Sequence, residues 1–297
     1  MQYRLGIDGG GTTTRAVIID ENMQDLGRGE AGSSNHYSVG VERAVENIQQ
    51  AVTAALRVSG VAQNEIVSLG LGLAGACTDA EQDILRKAIA PICPTQKLAI
   101  DEDVVAAQAG AFGGGAGAVC IAGTGANCFG INENGQRARV DGLGPLLGDR
   151  GSGYWIGEQT LRIICKMEDG IVPKSPLLEK VLQQLEIADV AGLVQLVYQP
   201  TFERDRIAGL APIVMQLSRD GDAASTEILQ SAGRELTATT IAVLQELNLQ
   251  QVAPVGGILA QQTALRETYE TELKNTINGM EVIEPKYDAV VGAALLA

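Results

Sequence analysis

One short pattern occurs twice in this chain of 297 residues. In each copy a β-rich run is followed by a turn of Gly and Thr and then by a second β-rich run. The first copy is LGIDGGGTTTRAVII, at 5–19, and the second is VCIAGTGANCFGI, at 119–131. Two β-rich runs joined by a glycine turn predict a hairpin. The repetition predicts a chain built from two halves of the same architecture.

Around these hairpins, strand-like and helical segments alternate, which predicts an α/β protein whose sheets are covered by helices. Apolar residues recur at helical spacing over 41–58, and Gly60 follows as a stop signal. The stretch FGGGAG at 112–117 is the predicted linker, because its four glycines do not sustain a helix. The terminal helix DAVVGAALLA lacks a polar face, so it must pack against another element.

The charge and the cysteine pattern exclude several classes of function. Acidic residues outnumber basic ones by 36 to 22, a net charge of −14, which disfavours nucleic acid and anionic membranes as partners. The five cysteines form no C-x-x-C pair, so they indicate neither a zinc site nor a disulfide framework, and we interpret them as small buried residues. With no signal peptide and no long apolar run, we expect a cytoplasmic protein.

The glycine turns suit phosphate, because backbone N–H groups converge on an anion where no Cβ intervenes. The candidate phosphate-binding residues are Gly10, Gly11, Thr12 and Thr13 in the first turn and Gly123, Thr124 and Gly125 in the second. Asp8 precedes the first turn, where a carboxylate next to phosphate needs a divalent cation between them, so we expect it to hold Mg²⁺, directly or through water. The pair Gly256-Gly257 follows a predicted strand and is expected to open a helix that supports the base or ribose of a nucleotide.

Other nucleotide and hydrolase signatures are missing from the sequence. There is no G-x-x-x-x-G-K-[ST] and no G-x-S-x-G, and neither hairpin is a G-x-G-x-x-G turn between strand and helix. The single histidine, His36, excludes mechanisms that need two histidines, and it is either a loop-packing residue or a ligand contact. A carboxylate is therefore the expected base.

Together these motifs resemble the sugar kinases of the actin-like ATPase superfamily, in particular N-acetylglucosamine kinases and glucosamine-kinase-like proteins. DGGGTTTR and IAGTGANCFG are similar to the two phosphate motifs, VAPVGGIL to the adenosine motif, and GSSNHYSVG and DGLGPLLGDRGSGYWIG to the sugar-side segments. The resemblance covers almost the whole chain in the family's order. It implies two ribonuclease-H-like domains, 1–115 and 116–286, with an interdomain cleft, and a helix at 287–297 that packs on the first domain.

The same resemblance assigns roles to individual residues. Asp103 would be the catalytic carboxylate, although as the start of a helix it is also a candidate N-cap. Asp101 and Glu102 stand beside it as competing acids. The implied sugar-binding residues are Asn35, Gly142, Gly144 and Asp149. For Asn35, capping of its own loop is the alternative.

The function implied is ATP-dependent, Mg²⁺-assisted phosphorylation of the 6-hydroxyl of an amino sugar by a homodimeric enzyme. Two alternatives stay open. One is an ATPase that activates a CoA-ester dehydratase or reductase, and the other is a nucleotide-dependent regulator without catalysis. The choice among glucosamine, N-acetylglucosamine and glucose depends on loop shape, which the sequence does not give.

Overall fold

The computed structural model describes residues 2–92, 95, 97–199 and 204–297. The chain forms two compact units, Met1–Val119 with Glu284–Ala297, and Cys120–Ile283. Each unit contains a five-stranded sheet with helices, so the predicted α/β class is confirmed. Within the described ranges no helix is long and apolar enough to cross a bilayer.

The sheet of the first unit has the order β3-β2-β1-β4-β5. Strand β2 runs antiparallel to its neighbours β1 and β3, whereas β4 and β5 are parallel to β1, so the carboxyl ends of β1, β4 and β5 share one edge. The strands are β1 Tyr3–Gly9, β2 Thr14–Ile19, β3 Asp25–Ala31, β4 Ile66–Leu73 and β5 Lys97–Asp101. The helices are α1 His36–Val39, α2 Val41–Ser59, α3 Asp79–Ile89, α4 Asp103–Phe112 and α12 Ala289–Ala294, with a 3₁₀ turn at Gln63–Glu65.

Helix α2 covers one face of this sheet, and it confirms the helix predicted over 41–58. Gly60 ends it in the left-handed conformation, at φ 70°. The helix approaches β3 so closely that a Cβ on Gly29 would lie 2.1 Å from Ala51 O. Glycine on β3 is therefore what allows the buried face of α2 to reach the sheet.

Helix α12 covers the other face of the same sheet. Its residues Val290, Val291 and Ala294 pack with Val17 and Ile19 of β2 in one buried cluster. This contact buries apolar residues of the terminal helix, which has no polar face.

The sheet of the second unit has the order β8-β7-β6-β9-β10, which repeats the order of the first unit strand by strand. The predicted repetition of architecture is confirmed. The strands are β6 Gly117–Ala122, β7 Ala126–Ile131, β8 Arg137–Asp141, β9 Gln251–Val255 and β10 Glu281–Val282. The helices are α5 Gly153–Glu168, α6 Pro176–Leu185, α7 Val190–Val197, α8 Arg204–Ala208, α9 Ala211–Arg219, α10 Ala223–Leu247 and α11 Ala264–Thr276.

The glycine-rich stretch after α4 is a hydrogen-bonded turn that leads directly into β6. Gly113 ends α4 with φ 63°. The Gln108 Nε2 amide donates to the carbonyls of Gly115 and Gly117 at 2.9 and 3.2 Å. The positive φ of the turn explains why this stretch is rich in glycine.

The cysteines do not share one environment. Cys120 and Cys128 are buried, as expected, but Cys77 is exposed and Cys165 is only partly buried. The interpretation of all five as buried residues is therefore wrong for Cys77, which lies in the turn after β4. Cys93 lies outside the described residues.

Candidate functional site

The first glycine turn lies where β1 reverses into β2. Gly10 N donates to Thr13 O at 3.0 Å, which closes the predicted hairpin. Gly9 has no room for a side chain, since a Cβ there would lie 2.1 Å from Ser34 Oγ. No atom lies within 4 Å of the corresponding position on Gly11, so the tip of the turn is open to a ligand.

The loop after β3 returns to this turn and brings Asn35 to it. Ser34 N and Ser33 Oγ donate to Gly10 O at 3.3 and 3.1 Å. Asn35 is the N-cap of α1, and its Oδ1 accepts from Tyr37 N at 3.1 Å. The alternative that Asn35 caps its own loop is therefore confirmed for its side-chain oxygen. Its Nδ2 has no acceptor among the described residues and is the group left to donate to a ligand.

His36 packs in the same loop. Its ring lies 4.3 Å from the ring of Tyr37, at an interplanar angle of 32°. A Cβ on Gly75, in the turn after β4, would lie 3.0 Å from His36 Cε1. The buried Nδ1 of His36 has no hydrogen-bond partner in the part of the chain that the structure describes. His36 is therefore a loop-packing residue, and its buried Nδ1 is also left available for a ligand contact.

Two carboxylates meet at the carboxyl edge of the first sheet. Burial, and after it the negative charge of Asp103, raises the pKa of Asp8, at the end of β1, to about 6. Arg15, whose Nη1 lies 3.9 Å from Asp8 Oδ2, opposes the shift, and Asp288 adds to it. A divalent cation beside Asp8 would relieve this unfavourable charge.

Three acids follow one another at the end of β5, and they differ in their surroundings. Glu102 is the N-cap of α4, so the alternative that Asp103 is the cap is wrong by one residue. Asp103 Oδ1 accepts from Val104 N at 2.8 Å, and Asp101 Oδ1 accepts from Glu102 N at 2.9 Å. Of the three acids, Asp103 is the one whose charge raises the pKa of Asp8.

The second glycine turn is held by the start of α5. Gly123 N donates to Gly125 O at 2.9 Å, which closes the turn between β6 and β7. The first N–H groups of α5 then dock on the turn, with Gly153 N donating to Gly123 O at 2.8 Å and Tyr154 N to Thr124 O at 3.1 Å. The carbonyls of the turn are occupied by these contacts, which fixes its orientation.

A cavity of about 370 Å³ in the second unit joins this turn to the glycine pair after β9. Gly123 and Thr124 line one part of it, and Gly257 lines another. The apolar side chains that line it are Ala208, Pro212, Met215 and Ile258. A space with backbone donors and small glycines beside apolar side chains suits a nucleotide.

The glycine pair itself differs from the expectation in one respect. Gly256 adopts φ 96° and lies against β6, where a Cβ would come 2.4 Å from Ala122 O. The chain then continues as turns, and helix α11 begins only at Ala264, so the prediction that the pair opens a helix is wrong. Gln261 Nε2 donates to Gly257 O at 2.7 Å and holds the turn in place of a helix.

The segment after β8 is organised by a residue that the sequence did not single out, the buried Asp141. Its Oδ1 accepts from Gly142 N and Asp149 N at 2.8 and 2.6 Å, and its Oδ2 accepts from Arg150 N at 2.9 Å. Asp149 Oδ1 in turn accepts from Ala126 N at 3.1 Å, which ties this loop to the second glycine turn. Asp141 and Asp149 both have positive φ, 72° and 55°, a strain typical of functional sites.

Gly142 and Gly144 give this loop its shape. Both have positive φ, 72° and 82°. A Cβ on Gly142 would lie 2.8 Å from Asn127 Cβ, whereas the position on Gly144 is open. The predicted sugar-side residues Gly142, Gly144 and Asp149 are therefore brought together in one loop of the second unit.

Asn127, on β7, is a further polar residue of this group that the sequence analysis missed. It is paired in register with Asp141. Its Oδ1 is buried and has no hydrogen-bond partner within the described ranges. A buried acceptor without a partner is costly, which makes it a candidate ligand contact. The only sequence signal is its position directly after the glycine turn.

No three His, Cys, Asp or Glu side chains among residues 2–92, 95, 97–199 and 204–297 group together as a metal site. Asp8 offers a carboxylate directly before the first turn. A Mg²⁺ ion there fits only if most of its oxygen ligands come from nucleotide phosphate and water, which is the usual way that Mg²⁺ binds at phosphates.

Known proteins similar to this chain extend over its full length. Residues 5–297 match the model of the BadF/BadG/BcrA/BcrD ATPase family. An N-acetyl-D-glucosamine kinase of Dictyostelium discoideum is 30% identical, with 99% of this chain and 97% of that protein covered. An N-acetylmuramic acid/N-acetylglucosamine kinase of Clostridium acetobutylicum is 29% identical, with 100% and 98% covered. A solved structure from Chromobacterium violaceum, described provisionally as an N-acetylglucosamine kinase, has a TM-score of 0.83 at 26% identity, with 100% of this chain and 99% of that one covered.

Proposed function

Since this chain belongs to the BadF/BadG/BcrA/BcrD ATPase family, we propose that it is an ATP-dependent amino-sugar kinase. The acceptor is the 6-hydroxyl of N-acetylglucosamine or glucosamine. The observation that carries the proposal is the cavity in the second unit that joins Gly123 and Thr124 to Gly257. Kinases of amino sugars among the relatives of this chain support the same activity.

In this proposal the nucleotide base lies against the apolar lining of Pro212, Met215 and Ile258. The N–H groups of the second turn other than Gly123 N, which donates to Gly125 O, and the Thr124 hydroxyl bind phosphate oxygens. In the first unit, the proposed phosphate contacts come from the open glycine turn, at Gly10, Gly11, Thr12 and Thr13. Backbone N–H groups and hydroxyls carry no net charge, so they bind a polyanion without any change in the protonation state of the chain.

Asp8 is the residue proposed to hold Mg²⁺, through water or directly. When bound, the ion neutralises charge on the transferring phosphate. The carboxylate of Asp8 is disfavoured by burial and by Asp103, so a cation beside it is favourable for this chain.

Asp103 is proposed as the general base. Its carboxylate accepts the proton of the sugar hydroxyl as that oxygen bonds to the γ-phosphorus, and the bond from the γ-phosphorus to the bridging oxygen breaks to release ADP. A positioned base typically contributes about 10²–10⁴-fold to the rate. Asp103 fits this role better than Asp101 or Glu102, because it is the acid whose charge acts at the end of β1.

In the second unit, the proposed sugar contacts are Asp149 and Asn127 Oδ1, with Gly142 and Gly144 giving the loop its shape. In the first unit, the proposed sugar contact is Asn35 Nδ2. Paired polar groups of this kind reject analogues that lack a hydroxyl, because the groups would be left buried without partners. In this set, Asn127 Oδ1 is the buried acceptor that has no hydrogen-bond donor among the described residues, so a sugar hydroxyl would satisfy it.

The alternative of an activator of a CoA-ester enzyme is not favoured by the named relatives, which are amino-sugar kinases. The second alternative is a nucleotide-dependent regulator without catalysis. It would bind ATP tightly and form no phosphorylated sugar. The cytoplasm and a homodimer remain part of the proposal, and light scattering of the purified chain tests the oligomeric state.

The test of the proposed base is the isosteric variant Asp103→Asn, with Asp101→Asn and Glu102→Gln as matched neighbours. We expect Asp103→Asn to lower kcat of sugar-dependent ADP release by about 10²–10⁴-fold, because the proton acceptor is lost. The Kd for ATP, measured by calorimetry, should change little, since the nucleotide cavity is untouched.

The two neighbouring variants should retain most of the turnover. Near-normal kcat in Asp103→Asn, or a larger loss in either neighbour, would remove Asp103 from the mechanism. Product identification by mass spectrometry over glucosamine, N-acetylglucosamine, N-acetylmuramic acid and glucose then gives the acceptor. Tight ATP binding with no phosphorylated product from any of them would favour the regulator.

A further inference from the structure

The cavity that joins Gly123 and Thr124 to Gly257 has one charged side chain among the described residues that line it, Asp205. Two other lining side chains are polar, those of Thr124 and Gln261, and the rest of the lining is glycine or apolar. A carboxylate accepts hydrogen bonds without donating any, and it carries the same sign of charge as phosphate. Asp205 is therefore unsuited to the triphosphate, and neither the glycine turns nor the apolar lining explains its presence in the cavity.

The position of Asp205 is fixed by the packing of α8 on α5. A Cβ on Gly157 of α5 would lie 2.0 Å from Ile207 O, and a Cβ on Gly153 would lie 3.5 Å from Ala208 O. The backbones of the two helices are thus in close contact, and the first turn of α5 is the part that docks on the second glycine turn. Asp205 stands directly before these contacts on α8, so its backbone is held at a fixed place relative to that turn.

The carboxylate of Asp205 is available to a ligand. Its side chain is exposed, and it has no hydrogen bond and no ion pair with the part of the chain that the structure describes. Gln261 differs, because its Oε1 accepts from Arg219 Nη2 at 3.0 Å and its Nε2 donates to Gly257 O at 2.7 Å. Of the polar side chains that line the cavity, Asp205 is therefore the one with two unused acceptor oxygens.

A nucleoside triphosphate offers a carboxylate two kinds of donor, the exocyclic amine of the base and the 2′- and 3′-hydroxyls of the ribose. In the proposed pose the base lies against Pro212, Met215 and Ile258, and the phosphates bind at the second glycine turn. The ribose joins these two parts of the nucleotide, so it lies between them in the same cavity. Its adjacent hydroxyls present two O–H donors that match the two oxygens of one carboxylate, whereas a single amine leaves one oxygen unused.

We propose that Asp205 binds the ribose diol of the nucleotide, so that this chain selects ribonucleoside over deoxyribonucleoside triphosphates. The inference rests on the proposed kinase function and adds to it a specificity-determining residue for the phosphoryl donor. Each ribose hydroxyl donates to one oxygen of the carboxylate, and a nucleotide that lacks one hydroxyl loses one of these charge-assisted bonds. Because Asp205 is exposed, water competes for the same oxygens, and the selectivity is smaller than at a fully buried polar site.

The test compares ATP with 2′-deoxy-ATP, 3′-deoxy-ATP and inosine triphosphate, whose base lacks the exocyclic amine. The measured quantity is the ratio of kcat/KM for ATP to that for each analogue, with the accepted amino sugar at saturation. The variants are Asp205→Ala and Asp205→Asn. Asp220→Asn is the matched control, because Asp220 is an exposed aspartate of the same unit that accepts from Gln216 Nε2 at 3.0 Å and does not line the cavity.

We expect the wild-type enzyme to prefer ATP to either deoxynucleotide by about tenfold, the equivalent of one hydrogen bond to a charged group. Asp205→Ala should abolish this preference, Asp205→Asn should retain part of it through its remaining acceptor oxygen, and Asp220→Asn should leave it unchanged. A wild-type enzyme without the preference, or an Asp205→Ala variant that keeps it, overturns the inference. So does a change confined to the ratio for inosine triphosphate, because Asp205 would then bind the base.

Failure of the proposed function gives a different result. If no sugar is phosphorylated with any nucleotide, the kinase proposal fails, and calorimetry then decides the inference separately. Tighter binding of ATP than of 2′-deoxy-ATP, lost in Asp205→Ala, supports ribose recognition without turnover. Equal binding of the two nucleotides, or binding of neither, overturns it. Thermal unfolding of each variant shows whether the fold is retained.

Discussion

Asp8 occupies a position that disfavours its own charge. Its pKa is raised from 3.8 to about 6, chiefly by burial and then by the charge of Asp103. The folded chain therefore binds a proton that the unfolded chain has already lost between these two values. The free energy of unfolding falls as the pH rises through this window and stays lower above it.

Asp8→Asn removes this charge and keeps the shape of the side chain. At pH 7.5 we expect it to raise the free energy of unfolding by up to about 3 kcal/mol, the equivalent of the raised pKa, and to change it little near pH 3.5. Urea unfolding with EDTA and without nucleotide measures this. Asp25→Asn is the control, an exposed aspartate that pairs with Arg28. An equal gain at both pH values would contradict the account of Asp8.

Asp141 has the opposite character, since its charge is satisfied by backbone donors. In Asp141→Asn, one of the two acceptor oxygens is replaced by an NH₂ donor that faces a backbone N–H donor. We therefore expect this variant to destabilise the fold by about 1–3 kcal/mol. Asp189→Asn is the comparison, because the exposed side chain of Asp189 accepts from a single backbone group in its helix cap, Gly192 N at 2.8 Å. Urea unfolding at neutral pH should show the larger loss for Asp141. Losses of equal size would mean that Asp141 does not organise the loop.

At the scale of elements, glycine sets how closely helices approach the first sheet. A Cβ on Gly70 of β4 would lie 1.9 Å from Ala293 O in α12, so backbone must move to admit it. We expect Gly70→Ala to destabilise the protein by about 1–3 kcal/mol in thermal or urea unfolding. Gly11→Ala is the matched control for stability, as no atom stands within 4 Å of its Cβ position. A neutral Gly70→Ala would contradict the close packing of α12.

The elements that the sequence predicted are those with a local signal. The two hairpins and helix α2 follow from glycine turns and helical periodicity, which lie within a few consecutive residues. The segment after Gly257 was misjudged, because its turn depends on a side-chain hydrogen bond from Gln261 to Gly257 O. Such a bond is invisible in a pattern of apolar and polar residues.

At the scale of the whole molecule, the repeated strand order was predictable from the repeated motif, whereas the role proposed for Asp103 comes from family resemblance. Asn127 and Asp141 were not identified. They meet as register partners across β7 and β8, and their roles depend on which oxygens remain unpaired after folding. Pairing between strands and satisfaction of buried polar atoms are properties of the assembled unit, which explains why the sequence alone did not reveal them.

The central claim is that this chain moves a phosphoryl group from ATP to an amino sugar. The most direct measurement is ³¹P NMR of purified protein with ATP, Mg²⁺ and N-acetylglucosamine or glucosamine, run beside a sample without sugar. The account predicts a new phosphate monoester resonance, coupled to the protons at carbon 6, that grows in step with ADP and is absent from the Asp103→Asn variant. ADP formed at the same rate without sugar, with no monoester resonance, would contradict it.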